Sequence, residues 1–328
     1  MGPVLVIHGG AGAMSRAALS PEKEREFHEA LQRILRSGQA ILASGGSALD
    51  AVTAAVVGLE DCPLFNAGRG AVFTSAGTHE LDASIMDGSN LRTGAIANVH
   101  HIRNPVLAAR KVMENSRHVF FVGEGAEAFA REQGIEMVER NYFSTPERHA
   151  QLLRVQKETP GVASLDDGQR LASGAAVGAT DQPSDPLDVD KKFGTVGAVA
   201  LDSHGNLAAA TSTGGITNKQ VGRIGDAPII GAGCYASNQT CAVSSTGTGE
   251  MYIRLVAAYD IAARMRYSGA SLQEAADTVM YQELPSIDGK GGLIAVDAQG
   301  NIALPFNTEG MYRGYMRVGQ EPVTDIYR

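Results

Sequence analysis

Hydrophobic and polar positions alternate in recognisable blocks through the first half of the chain. Short apolar or alternating runs predict strands over residues 5–8, 71–74, 81–86, 95–100 and 119–122. Apolar positions at helical spacing predict helices over about 20–44, 47–62, 105–114, 124–133 and 146–157. Ser20 and Ser47 stand where the first two helices begin and are typical N-caps. This succession is typical of a layered α/β protein.

Two similar hairpin patterns dominate the second half. A hydrophobic run over residues 195–202 turns at Ser203-His-Gly-Asn206 and returns through residues 207–213. Residues 293–304 repeat this pattern around Ala298-Gln-Gly-Asn301. Helical spacing over 251–266 and around 271–282 lies between the two hairpins. The fold class is therefore a mixed α/β (α+β) protein whose sheets contain antiparallel hairpins.

A long segment without periodicity separates these two halves. From about residue 159 to 192 the chain gathers Gly, Ser, Pro and Asp, a composition typical of a mobile surface segment. Loops of this length are uncommon inside a domain and are usually functional or disordered. The segment ends just before Gly194-Thr195, where a buried strand is predicted to begin.

Composition limits the classes of partner. The formal net charge is −8 and no run of Lys or Arg forms a basic patch, which argues against nucleic acid. The first residues lack a basic region followed by a long apolar stretch, and no segment approaches the roughly 18 apolar residues of a membrane span. Three cysteines without metal-ligand spacing favour the reducing cytoplasm. We therefore expect a cytoplasmic protein without a membrane partner.

Several short motifs have simpler explanations than ligand binding. Gly9-Gly-Ala-Gly12 lacks the dinucleotide-binding register, and Gly247-Thr-Gly249 lacks the Lys of a phosphate-binding loop. His79-Glu80 and His100-His101 lack the helical spacing of a zinc site, so we expect no catalytic metal. Ser20-Pro-Glu-Lys23 matches a serine-acylase motif, but it stands where a helix cap is expected.

Thr195 is the strongest candidate nucleophile. A threonine hydroxyl attacks poorly unless a base removes its proton, and one solution uses the residue's own α-amino group after the preceding peptide is cut. An α-amine has a pKa of about 8, close to neutrality. The junction of linker and strand at Gly194-Thr195 would tolerate such a cut. We further hypothesise that Gly194, having no side chain, adopts a strained conformation that favours attack on its carbonyl.

Five motifs rich in glycine and threonine extend over nearly the whole chain. They are His8-Gly-Gly-Ala-Gly12, Cys62-Pro-Leu-Phe-Asn-Ala-Gly68, Gly194-Thr-Val-Gly-Ala-Val-Ala200, Thr211-Ser-Thr-Gly-Gly215 and Thr246-Gly-Thr-Gly-Glu250. In order and spacing the chain resembles the plant-type (class 2) L-asparaginase and isoaspartyl aminopeptidase family of N-terminal-nucleophile hydrolases. The resemblance implies one domain over residues 1–328 with an αββα sandwich. It also implies self-cleavage into an α subunit (1–194) and a β subunit (195–328), assembled as an (αβ)₂ dimer.

The resemblance also assigns roles around the nucleophile. Thr195 would act in both self-cleavage and substrate hydrolysis, and the Thr213 hydroxyl would support and orient it. Thr246 and Gly247 would form the oxyanion hole, through a hydroxyl and a backbone N–H that donate to the developing negative oxygen. Asn66 would approach and position the nucleophile.

A second group of residues would bind the substrate. Arg223 would pair with an α-carboxylate and Asp226 with an α-ammonium, a division that suits guanidinium and carboxylate groups. Gly249 would add a backbone acceptor for the ammonium, and Thr246 and Gly247 would contact the same substrate. The resemblance also implies a structural sodium ion and no catalytic cofactor. The sodium would be held by backbone carbonyls of Leu59, Glu60, Cys62, Phe65, Ala67 and Arg69.

The expected activity is hydrolysis of β-aspartyl (isoaspartyl) dipeptides and of L-asparagine through a β-aspartyl intermediate on Thr195. One alternative is a glycosylasparaginase, against which stand the missing secretory signal and the absence of tryptophan for a sugar platform. Another is a non-catalytic homologue that binds amino acids through Arg223 and Asp226 without cleaving them. Cleavage at Gly194-Thr195 distinguishes the enzyme from the binding protein.

Overall fold

Two β-sheets carry the elements of the protein. The computed structural model describes residues 2–12, 14, 19–158 and 192–328, so the predicted linker lies outside the described residues except for its last one. The strands are β1 Val4–Gly12, β2 Leu81–Asp87, β3 Thr93–Val99, β4 Phe120–Val122, β5 Lys192–Phe193, β6 Val196–Leu201, β7 Leu207–Thr213, β8 Cys234–Ala236, β9 Cys241–Gly247, β10 Gly291–Asp297, β11 Ile302–Ala303, β12 Gly310–Arg317 and β13 Val323–Tyr327. The helices are α1 Pro21–Ala43, α2 Ala48–Glu60, α3 Pro105–Asn115, α4 Gly123–Glu132, α5 Pro146–Glu158, α6 Gly249–Leu255, α7 Ala257–Ser268 and α8 Leu272–Thr278.

The larger sheet has the strand order β13-β12-β1-β6-β7-β2-β3-β4, with β5 paired to the end of β1. The smaller sheet has the order β11-β10-β9-β8. Neighbouring strands are antiparallel except β3 and β4, which are parallel. β1, β6 and β7 lie side by side in the larger sheet, so the hairpin that begins after Thr195 occupies its centre.

Four layers result from the way these sheets pack. α1, α2 and α3 cover one face of the larger sheet, and its other face packs on the smaller sheet, whose far side is covered by α7 and α8. Alternation along β1 records this arrangement, because Leu5 and Ile7 join the helix-side core while Val4 and Val6 join the core between the sheets. A third core lies between the smaller sheet and its helices. The αββα sandwich expected from the resemblance is confirmed.

The predicted helix starts are confirmed. The Ser20 side chain accepts from the Lys23 backbone N–H, so the Ser-x-x-Lys motif is a helix cap. Ser47 caps α2 in the same way, accepting from Asp50 N–H, and its hydroxyl also donates to the Asp50 carboxylate. Among the described residues, no helix is long and apolar enough to cross a membrane.

Both predicted hairpins are present, and their two turns have the same hydrogen-bond pattern. The Asp202 carboxylate accepts from the N–H groups of His204 and Asn206, each at 2.9 Å. Asp297 accepts likewise from Gln299 and Asn301, each at 2.9 Å. A buried aspartate at the end of the first strand therefore fixes each turn.

One predicted strand and one predicted helix differ from the structure. Residues 71–74 form only an isolated bridge from Thr74 to Lys219, because the Val72 N–H donates to the Asn66 side chain rather than to a neighbouring strand. The helix predicted over 251–266 breaks at Val256, whose φ of 51° ends α6 and starts α7. The sequence pattern also did not predict β8, β9, β12 and β13, and a π-helical turn, Val279–Glu283, follows α8 inside the helix predicted around 271–282.

Candidate active site

A small cavity lies at the edge of the two sheets where several predicted site residues meet. Its lining consists of Gly194, Thr195, Thr213, Gly215, Ile216, Arg223, Gly225, Asp226 and Gly247. Thr195 and Thr213 come from the central hairpin, Gly247 comes from the end of β9, and the charged residues come from the irregular segment after β7. The two sheets and this segment thus bring residues together that are up to 53 positions apart in the chain, from Gly194 to Gly247.

The two threonine hydroxyls form a hydrogen bond at the open end of the central hairpin. Thr195 Oγ1 donates to Thr213 Oγ1 at 3.1 Å, and the Gly215 N–H donates to the same Thr213 oxygen at 2.9 Å. Thr195 is 7% exposed and Thr213 is 2% exposed, so solvent competes little for these bonds. The Thr213 hydroxyl therefore lies where it can orient the Thr195 hydroxyl, and this role stays a prediction.

Asn66 reaches the site from the loop after α2. Its Nδ2 donates to the Gly215 carbonyl at 2.7 Å, and its backbone carbonyl accepts from the Gly214 N–H at 3.1 Å. A Cβ on Gly194 would lie 2.2 Å from the Asn66 Cβ, so only glycine fits between Asn66 and Thr195. Asn66 thus packs against the residue before the nucleophile and fixes the turn that supports Thr213.

Gly194 does not adopt a left-handed backbone conformation, which could have been the source of the hypothesised strain. Its φ lies outside the positive region that favours glycine. The need for glycine comes instead from the close approach of Asn66. Just upstream, β5 pairs with β1 in the register Ala11 to Phe193, so the backbone before Gly194 is hydrogen-bonded to the sheet that carries Thr195.

Thr246 and Gly247 lie at the end of β9 in the smaller sheet. Gly247 lines the cavity, and a Cβ there would lie 2.2 Å from the Lys290 carbonyl, so this position also requires glycine. Thr246 is fully buried, and its hydroxyl accepts from the Ala11 N–H at 3.4 Å. The Gly9 to Gly12 motif therefore contacts Thr246, which brings the first and last motifs of the sequence together.

Arg223 is paired with a residue that the sequence analysis gave no role. Its Nε and Nη2 donate to the two carboxylate oxygens of Glu250 at 2.9 and 2.8 Å. The remaining nitrogen, Nη1, lies towards Gly225, where a Cβ would approach it to 3.0 Å. Gly225 and Arg223 both line the cavity, so a side chain at position 225 would crowd the guanidinium there.

Asp226 is a buried carboxylate beside that guanidinium. It is 3% exposed, its Oδ2 has no hydrogen-bond partner, and burial raises its pKa to about 7 while the Arg223 charge opposes the rise. A Cβ on Gly249 would lie 2.8 Å from Asp226 Oδ1 and 3.1 Å from Arg223 Nη2. Gly249 thus preserves the space between the two charged groups. An unpaired buried carboxylate of this kind is suited to receive a cation.

Comparison with known proteins identifies the family. A family model described as asparaginase matches residues 1–326. The chain belongs to this asparaginase family. It is 58% identical to the isoaspartyl peptidase of Escherichia coli (strain K12), over 99% of this chain and 96% of that protein. It is 57% identical to the isoaspartyl peptidase of Salmonella typhimurium (strain LT2), over 99% and 98% of the two chains. It is 39% identical to the human isoaspartyl peptidase/L-asparaginase, over 95% and 92%.

The loop that the resemblance assigns to sodium is a tight turn in this asparaginase family member. Carbonyl groups converge on its glycines, because a Cβ on Gly68 would lie 2.5 Å from the Glu60 carbonyl and one on Gly70 would lie 2.8 Å from the Phe65 carbonyl. Glu60 also accepts from the Arg69 N–H, and its buried side chain has a pKa raised by burial to about 8. These close approaches require glycine at both positions, and the sodium site stays a prediction.

His8 of the first motif lies between the sheets rather than in the cavity. Its Nε2 is 2.9 Å from Ser244 Oγ, which is 2.8 Å from Thr211 Oγ1. Burial lowers the pKa of His8 to about 3, so the imidazole is neutral. A Cβ on Gly197 would lie 1.9 Å from the Ser244 hydroxyl, so this polar contact and the adjacent glycine determine how closely the sheets approach beside the nucleophile.

Four residues of the site carried no specific assignment from the sequence. Gly215, Ile216 and Gly225 line the cavity, and Glu250 binds Arg223. The glycines stand inside or beside recognisable motifs, and Glu250 ends the last motif, so their positions were visible in the sequence. Their roles were not, because each depends on a contact between separate segments.

Proposed function

We propose that the protein cleaves itself before Thr195 and then hydrolyses β-aspartyl dipeptides and L-asparagine. The observation that carries this proposal is the Thr195 to Thr213 hydrogen bond in a cavity shared with Arg223 and Asp226. The names and identities of the relatives support the substrate class. An amino acid held by its carboxylate and ammonium would present its β-carbonyl to the threonine.

Self-cleavage begins with attack of Thr195 Oγ1 on the Gly194 carbonyl carbon. The C–N bond breaks as the amide becomes an ester on the threonine oxygen, and the hydroxyl proton passes to the departing nitrogen. Water then hydrolyses the ester, which leaves a carboxylate on Gly194 and a free α-amine on Thr195. The pairing of β5 with β1 holds the chain before this bond, and Asn66 packs against Gly194.

The free α-amine serves as the base in turnover. It accepts the Thr195 hydroxyl proton as the oxygen attacks the substrate's β-carbonyl, and it returns that proton to the leaving amine or ammonia. The negative oxygen of the tetrahedral intermediate would be stabilised by the Thr246 hydroxyl and the Gly247 N–H. Water then hydrolyses the β-aspartyl ester on Thr195 and releases aspartate. No step requires a catalytic cofactor.

We define the substrate clamp as Arg223, Asp226 and Gly249. Arg223 would bind the α-carboxylate through the N–H groups that Glu250 leaves free, the two of Nη1 and the second one of Nη2. Asp226 would accept from the α-ammonium, with the Gly249 carbonyl as a second acceptor. An ammonium lowers the pKa of a nearby carboxyl, so substrate binding favours the charged form of Asp226.

Three further properties follow from the family relationship. A structural sodium ion would be held by the carbonyls of the turn formed by Leu59, Glu60, Cys62, Phe65, Ala67 and Arg69, where it would fix Asn66. The cleaved subunits would assemble as an (αβ)₂ dimer. The protein would be cytoplasmic, which suits three free cysteines that are all buried.

Intact mass spectrometry of fresh and aged protein tests the self-cleavage. We expect two masses that sum to the precursor plus one water, with Thr195 newly terminal. The cleaved protein should then release aspartate from β-aspartyl dipeptides and asparagine. A folded chain that stays intact would reject the enzymatic proposal in favour of a binding protein, and release of N-acetylglucosamine from its asparagine conjugate instead would indicate a glycosylasparaginase.

A further inference from the structure

A lysine lies buried directly beneath the site. Lys219 is 1% exposed, and its Nζ donates to the Glu80 backbone carbonyl at 3.0 Å and lies 3.7 Å from the Glu80 carboxylate. Burial lowers the pKa of Lys219, while the carboxylates of Asp82 and Glu80 raise it. A buried cation is costly unless it is paired, so this pair must be maintained. None of the chemical steps above uses it.

On one side the lysine contacts the turn that supports the nucleophile. A Cβ on Gly215 would lie 2.8 Å from Lys219 Nζ, so the ammonium occupies the space that a side chain at this position would need. Gly215 donates to Thr213 and accepts from Asn66. This turn is thus held by Asn66 independently of the lysine.

On the other side the lysine acts through Glu80 on the substrate clamp. Both Glu80 carboxylate oxygens accept from the Gly222 N–H at 3.0 Å, and Gly222 directly precedes Arg223. The backbone N–H before the guanidinium is therefore anchored to a carboxylate whose own charge is balanced by Lys219. In contrast to Gly215, no Asn66 contact supports this end of the segment among the described contacts.

We propose that Lys219 is a positioning residue for substrate binding, whose ammonium holds Glu80 so that the Gly222 peptide presents Arg223 to the substrate carboxylate. This proposal rests on the proposed function. It assigns Lys219 a greater effect on KM than on kcat, because the hydroxyl pair has its own support. Self-cleavage, which needs no substrate carboxylate, should proceed without the lysine charge.

The backbone around Lys219 makes the charge separable from the fold. Its carbonyl accepts from the Ser75 N–H at 2.8 Å, and the neighbouring Asn218 N–H donates to the Phe73 carbonyl at 2.9 Å. These bonds tie the segment to residues 73–75 whatever the side chain at 219. Lys219→Met keeps most of the buried volume, so the backbone should stay in place.

The test compares Lys219→Met with Glu127→Gln. Glu127 is the control because, like Glu80, it is a buried carboxylate that accepts backbone N–H groups of a loop, here those of His100 and His101, outside the cavity. We expect Lys219→Met to cleave itself, to keep kcat within about threefold and to raise KM about tenfold or more, the scale of a clamp displaced by a fraction of an ångström. Glu127→Gln should leave KM unchanged.

Further variants decide the remaining outcomes. If Lys219→Met fails to fold, the double variant Lys219→Met/Glu80→Gln, which also removes the charge of the Glu80 carboxylate, is measured instead and should show the same rise in KM. In an Arg223→Ala background, Lys219→Met should lower kcat/KM no further. An unchanged KM, or an equal loss in both backgrounds, overturns the positioning role. Wild-type protein that self-cleaves yet hydrolyses no β-aspartyl substrate would reject the proposed function instead.

Discussion

Two halves of one cavity are held together by different forces. The nucleophile half, formed by Thr195, Thr213, Asn66 and Gly215, is fixed by hydrogen bonds between neutral groups at strand ends. In the substrate clamp, Arg223 and Asp226 lie in an irregular segment and Gly249 begins α6, and charged groups fix the clamp through the Lys219–Glu80 and Arg223–Glu250 pairs. The nucleophile half must be in place before cleavage, whereas the clamp is needed only when substrate is bound. The two halves should therefore fail separately.

Electrostatics shows the same difference. The hydroxyls and amides of the nucleophile half do not titrate near neutrality. Around the clamp, burial raises the pKa of Asp226 to about 7, raises that of Asp82 and lowers that of Lys219. In the uncleaved chain, sensitivity to pH should thus originate mainly in the clamp, whereas after cleavage the Thr195 α-amine also titrates near neutrality.

The largest expected effect is loss of the shared nucleophile. Thr195→Ala should abolish both self-cleavage and hydrolysis, because one hydroxyl starts both reactions. Intact mass and aspartate release measure the two. Thr195→Ser, which keeps a hydroxyl, is the control and should retain both reactions. Hydrolysis by pure uncleaved Thr195→Ala protein would show that another residue is the nucleophile.

Arg223→Ala should separate the halves. Self-cleavage should continue while kcat/KM falls by about two to three orders of magnitude, the usual cost of removing one partner of a charge-assisted pair. The matched control is Arg264→Ala. Like Arg223, Arg264 is a partly buried arginine in a salt bridge, here with Asp260 and Glu283, but it lies away from the cavity. Equal loss of cleavage and turnover in Arg223→Ala would indicate a folding role for the arginine.

Gly249→Ala should narrow the clamp without touching the hydroxyls. The added methyl would meet Asp226 Oδ1 at 2.8 Å and the Asp226 backbone nitrogen at 3.0 Å. Such overpacking costs about 1–3 kcal/mol, so we expect KM to rise about tenfold while cleavage continues. Steady-state kinetics on asparagine measure it, with Gly125→Ala, an exposed position in α4 with open space around it, as a surface control. An unchanged KM would show that the clamp adapts.

The smallest expected effect is a pH dependence of substrate capture. Asp226 must be charged to receive an ammonium, and its pKa of about 7 means that the charged fraction falls as pH falls. From about pH 7.5 to 6.5, kcat/KM should drop about threefold through this group. Asp226→Asn should lower kcat/KM at both values and flatten this limb. The same threefold drop in the variant would assign the titration to another group, such as the Thr195 α-amine.

Prediction from sequence succeeded where local pattern and motif coincide. Ser20 and Ser47 cap their helices, and Asp202 and Asp297 close two similar hairpins. The local pattern could predict these features because the contacts span only two to four residues. The helix predicted over 251–266 was wrong at Val256. There the backbone N–H groups of Ala258 and Tyr259 donate to Ala232 and Gly231, a tertiary contact that periodicity does not contain.

The sequence by itself determined the alternation of elements, the caps, the turns and the order of the glycine and threonine motifs, since these depend on neighbours along the chain. The resemblance carried by those motifs led to the family and to Thr195. Only the tertiary structure placed Thr195 against Thr213, paired Arg223 with Glu250 and buried Lys219 on Glu80. Contacts between distant segments, and the pKa values that burial sets, depend on how the layers pack. That information is spread over the whole chain rather than held in any one motif.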